Sequence, residues 1–84
     1  MKFIIDKWIF NGTEHYHIEP ENIFSEQYTA KYLGLTLEEY QNILKSFNAY
    51  QPINYIHYYF NTIEDAEKAI EKLTPILVMA NLTN

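Results

Sequence analysis

Arginine and cysteine are both missing from this sequence, and glycine occurs only twice. Without cysteine there is no disulfide framework, no thiolate metal site and no cysteine nucleophile. A small fold that holds without such staples fits a reducing cytoplasm. Without arginine the chain lacks the side chain best suited to bidentate recognition of phosphate or guanine. Its six basic residues are all lysines, set against eleven acidic ones, for a net charge of −5. That balance excludes a broad basic surface for nucleic acid. No run of about 18 apolar residues exists, which excludes a helical membrane span. Met1-Lys2-Phe3-Ile4-Ile5 meets Asp6 and Lys7 too soon to form the apolar part of a signal peptide.

What the chain has in quantity is aromatic side chains: eight Tyr, five Phe and one Trp. A chain of 84 residues reads as one domain spanning 1–84, and a domain this small buries roughly 60–65% of its unfolded surface. The aromatics therefore carry much of the core.

The densest apolar sequence runs from Ile53 to Leu82 and reads as strand, helix, strand. Ile56, Tyr58 and Phe60 alternate with Tyr55, His57 and Tyr59, the period of a strand with two distinct faces. Ile63, Ala66, Ile70 and Leu73 recur at helical spacing, with Glu64, Asp65, Glu67, Lys68, Glu71 and Lys72 opposite them. Asn61 or Thr62 can cap that helix. Ile76 to Ala80 is apolar throughout, as expected of a strand covered on both faces.

Upstream, Phe3 to Phe10 reads as a strand, Asn11-Gly12 as a type I′ turn, and Thr13 to Ile18 as the returning strand ended by Pro20. Ser25 caps a short helix to about Leu33, with Tyr28 and Tyr32 on its inner side and Gly34 ending it. Thr36 and Glu39 form a capping box for the next helix, and Leu37, Tyr40, Leu44 and Phe47 form its buried stripe. The expected fold is α+β, in the order β-β-α-α-β-α-β, with one mixed sheet and the helices mainly on one face.

Chemistry-bearing constellations are sparse. His15 and His17 lie two apart on a strand, so both can face one ion, with Glu14 or His57 as a third ligand. Two histidines without a fixed third partner read more simply as hairpin surface, and no metal or other cofactor is expected. His, Glu, Tyr and Ser are present without a catalytic arrangement, so no enzyme is expected.

Charge placement says more. No lysine falls between Lys7 and Lys31, yet Glu14, Glu19, Glu21 and Glu26 do, and Glu38 and Glu39 begin the helix after that. Aligned on one side, these six carboxylates form a negative surface that can meet a basic groove on another protein. Tyr16, Tyr50, Tyr55 and Tyr59 supply aromatic anchors for such a contact.

Residues 29–44, from Thr29-Ala30-Lys31-Tyr32-Leu33-Gly34-Leu35-Thr36 to Ile43-Leu44, resemble a helix-turn-helix. Ala30 is the small residue of its first helix and Gly34 falls in its turn. That resemblance implies a dimeric transcriptional regulator whose Leu37, Glu38, Glu39, Gln41 and Asn42 enter the major groove. Glu38 and Glu39 depart from it, because phosphates repel carboxylates at the leading turn. In size, acidity, α+β make-up and missing Arg and Cys, the chain resembles the small acidic accessory proteins of bacteriophages and mobile elements. These include inhibitors of host defence nucleases such as the anti-CRISPR proteins. This second resemblance implies a non-enzymatic, cytoplasmic module that occupies a surface on a host protein or nucleoprotein complex, without contacting nucleic acid or membrane itself. A homo-oligomeric assembly protein, using an exposed sheet edge or a Tyr-rich face, is the third reading.

Overall fold

The computed structural model describes residues 1–83. Their order is β1 (Phe3–Phe10), β2 (Thr13–Pro20), α1 (Glu26–Leu33), α2 (Leu37–Ser46) and α3 (Ile63–Thr83). The class is α+β, built from one two-stranded antiparallel sheet and three helices. The expected order β-β-α-α-β-α-β with a mixed sheet is thus corrected to β-β-α-α-α.

Both corrections fall between Ile53 and Leu82. In the first, Asn54 adopts φ 70° and the Tyr55 N–H donates to the Pro52 carbonyl at 3.1 Å, so a turn interrupts the extended run. Ile56, which shares its strand face with Phe60 in the alternating pattern, is exposed, as is Ile53. Only Tyr59 and Phe60 make sheet-like contacts, as isolated bridges to Tyr50 and Tyr16. In the second, Ile76–Ala80 continues α3. Leu73, Ile76, Leu77 and Ala80 extend the helical stripe into the core, while Val78 and Met79 turn outward. Pro75 lies inside this helix, where it removes the hydrogen bond to the Glu71 carbonyl, and its ring is exposed. A short apolar run has no period of its own, so a buried strand and a helix segment look alike in sequence.

Local signals upstream settle into place. Asn11 (φ 52°) and Gly12 (φ 76°) make the two-residue turn, and the register runs from Phe10↔Thr13 to Phe3↔Pro20. Gly34 closes α1 at φ 76°, with the Leu35 N–H donating to the Ala30 carbonyl at 2.9 Å. The Thr36–Glu39 capping box is complete: the Glu39 N–H donates to Thr36 Oγ1 at 3.0 Å, and the Thr36 N–H to Glu39 Oε1 at 2.8 Å. Thr62 caps α3, accepting from the Asp65 N–H at 3.1 Å.

Strand alternation gives the hairpin two faces. Phe3, Ile5, Tyr16, Ile18 and Pro20 share the one that joins the core with Ala66, Ala69, Ile70 and Leu73 of α3. Tyr40 and Leu44 of α2 and Ala30 and Leu33 of α1 complete that core. Three inward expectations shift here: Tyr28, Leu37 and Ile63 are exposed, and α1 buries Glu26, Thr29, Ala30 and Leu33. Asp6, Trp8, Phe10, His15, His17 and Glu19 share the opposite face.

Candidate functional site

Buried titratable groups gather where that second hairpin face meets the start of α1 and the segment before α3. Glu26 occupies the first position of α1, beside its capping Ser25, where the helix dipole favours a carboxylate. It is only 3% exposed. Gln41 Nε2, from α2, donates to its Oε1 at 2.9 Å, and the Tyr58 N–H donates to its Oε2 at 2.8 Å. One carboxylate thereby ties α1, α2 and the 50–60 segment together.

His17 lies behind it. Its Nδ1 is 3.2 Å from the Tyr58 carbonyl, which can only accept, so Nδ1 carries the proton. Glu26 Oε2 is 3.9 Å from the same nitrogen, and Glu19 Oε2 is 3.8 Å from Nε2. The His57 ring stacks parallel to His17, with centroids 5.0 Å apart. Burial holds the His17 pKa below its ordinary value, against the upward pull of the Tyr58 carbonyl and Glu26. Burial pushes Glu19 up to about 7, and the Asp6 carboxylate beside it adds to the effect. Towards the turn the same face is aromatic: Phe10 stacks on His15 at 4.3 Å and on Tyr55 at 4.5 Å, and Tyr59 meets Phe10 edge-on at 5.0 Å.

A recess of about 180 Å³ opens over Glu26. Ser25, Gln41 and His57 line it with Glu26, and Leu37 and Ile56 form part of the same wall. Both apolar residues are exposed, Ile56 at 77%.

The residues singled out by charge and aromaticity do not form one surface. Glu14, Glu21, Glu38 and Glu39 are exposed, as is Tyr55, whereas Glu26, Tyr16 and Tyr59 are buried and Glu19 and Tyr50 are partly so. Glu14 pairs with Lys7 at 3.5 Å and accepts from the Tyr16 hydroxyl at 2.8 Å, which holds its pKa below the ordinary range. Glu39 is engaged in the capping box, whose Thr36 N–H likewise lowers its pKa. The alignment of six carboxylates is therefore corrected: Glu19 and Glu26 turn inward to serve the fold. His15 and His17 share a face, but each stacks on a different ring. Among the described residues, no group of three or more His, Asp or Glu is placed to hold a metal ion.

Sequence reasoning missed the inward role of Glu26 and its partners Gln41 and Tyr58. An acidic residue at the first position of a helix is the ordinary dipole-favoured surface choice. Nothing local distinguishes a buried one. The chain matches no family model, no curated protein and no solved structure. Among the described residues, no helix is long and apolar enough to cross a membrane.

Proposed function

We propose that this protein is a non-enzymatic binding module that meets a basic surface on a larger protein or nucleoprotein complex. One observation carries the reading. Lys7–Glu14 is the only ion pair made by a lysine among the described residues, so most exposed carboxylates have no lysine nitrogen within 4.0 Å. Of the four exposed carboxylates in the acidic set, Glu14 is paired with Lys7 and Glu39 is held in the capping box, whereas Glu21 and Glu38 have neither partner; Tyr55 is the exposed aromatic. Exposed charge of this kind attracts and orients a cationic partner over a distance set by ionic strength.

The resemblance to phage and mobile-element accessory proteins supports the finer reading. The module acts in the host cytoplasm and inhibits a nucleic-acid-processing or defence complex, in the manner of anti-CRISPR proteins, by covering a groove built for phosphate. Direct DNA reading by α1 and α2 fits less well, because Glu38 and Glu39 occupy the leading turn of α2. Self-association has an observation of its own: among the described residues β1 pairs with β2 alone, so no strand pairs with its outer edge.

Affinity capture from nuclease-treated bacterial lysate, read by mass spectrometry, tests the proposal. The expected result is one stoichiometric nuclease or nucleoprotein partner whose retention falls with salt. Recovery of the bait alone, as a fixed multimer, overturns it in favour of the edge-paired assembly.

A further inference from the structure

The recess over Glu26 resembles neither a cofactor site nor a part of the packed core. Its volume of about 180 Å³ is below the roughly 300–1,000 Å³ of small-molecule sites. At about 30 Å³ per water, it holds on the order of six waters, or one planar polar head group with its last methylenes. Its floor contains a carboxylate with two of about four acceptor positions in use, by Gln41 and the Tyr58 N–H. Among the described residues, no lysine pairs with the rest. The chain has no arginine. Two imidazoles lie nearby: His17 Nδ1 is committed to the Tyr58 carbonyl, and His57, which lines the recess, makes no ion pair with Glu26 among the described residues.

The wall fits the same kind of guest. Leu37 and Ile56 offer apolar surface to a methylene stem, and the His57 ring offers a flat face to a planar cation. We propose that this recess receives one arginine side chain of a protein partner, its guanidinium on Glu26 and its stem along Leu37 and Ile56. The inference rests on the binding-module reading and adds a specific anchor to it. The exposed carboxylates steer a basic surface, and the recess fixes where one of its arginines lands. An arginine suits the site better than a lysine because a buried carboxylate that already accepts two hydrogen bonds is best met by a planar, multi-donor head.

A titration of isotope-labelled protein with a capped peptide carrying one central arginine tests this without any natural partner. The reporters are the Gln41 side-chain amide and the Tyr58 N–H, the two donors already on Glu26. At about 1–10 mM peptide, both signals shift saturably, and the same peptide with citrulline in place of arginine leaves them still. Glu26→Gln weakens binding about tenfold or more, the loss expected for a charge-assisted contact. Gln41 can keep the fold intact in that variant by turning its amide over. Ile56→Ala, at an exposed position, weakens binding a few-fold whether or not Glu26→Gln folds. Three results overturn the proposal: no shift at either reporter, equal shifts with citrulline, or tighter binding of a lysine peptide. If a captured partner still binds in a salt-dependent way after such a result, the anchor is lost and the acidic surface stands.

Discussion

On one face of the β1–β2 hairpin, Phe3, Ile18 and Pro20 are buried in the core that α3 shares; on the other, His17 lies buried between Glu19, Glu26 and the His57 ring. The first face is held by area and fit, which have no direction and tolerate little change in volume. The second is held by hydrogen bonds: Gln41 of α2 and the Tyr58 N–H donate to Glu26, and His17 Nδ1 donates to the Tyr58 carbonyl. A polar interior of this kind adds little net stability, but losing one partner strands another. The difference teaches where function has room. The apolar face can do nothing but hold the fold, whereas the polar face ends in an open recess with acceptor capacity to spare.

The largest effect separating the two faces is expected in the apolar core. Leu73 is fully buried on α3, and Leu73→Ala should cost about 2–5 kcal/mol, measured by denaturant unfolding. If the loss is under about 1 kcal/mol, the account of that face fails.

The polar face should show itself in pH dependence. Glu19, raised to about 7 in the fold, contributes stability that is fully present below the unfolded carboxylate value and lost as pH rises through 7. His17, lowered by burial, contributes in the opposite sense: its share is present above the unfolded imidazole value and is lost as pH falls through the folded one. Replacing Glu19 by Gln should therefore stabilise the protein at pH 8, by on the order of 1–2 kcal/mol. It should do little at pH 5 and leave in place the acid-side decline to which His17 contributes. Melting curves across pH read this directly, and equal effects at both pH values would contradict it.

A smaller effect sharpens the boundary between the two regions. Tyr40 is fully buried, and its hydroxyl has no hydrogen-bond partner among the described residues. Tyr40→Phe removes a desolvated polar atom, so unfolding should show no loss and a gain of up to about 1 kcal/mol. A loss above about 1 kcal/mol would mean the hydroxyl has a partner after all.

The same division explains what the sequence made legible. Asn11-Gly12, Gly34 and the Thr36–Glu39 box are local devices whose physics is complete within a few residues, and each sits where the pattern put it. Ile53–Phe60 and Ile76–Ala80 depend on what packs beside them, and both alternatives satisfy their apolar residues. The Ile53–Phe60 run lays Tyr55 and Tyr59 on the hairpin without forming a strand, and Ile76–Ala80 prolongs a helix past Pro75. Glu26 was the least legible. Its partners lie 15 and 32 residues away, and only the tertiary fold brings Gln41 and Tyr58 to it.

The central claim, that uncompensated exposed carboxylates bring this module to a basic partner, is tested most directly by one comparison. The affinity of the captured partner is measured against salt for the wild-type protein and for a variant with Glu21 and Glu38 changed to Gln. The variant is expected to keep its fold and to bind more weakly, with a shallower salt dependence. Equal affinity and an equal slope in a folded variant would contradict the claim.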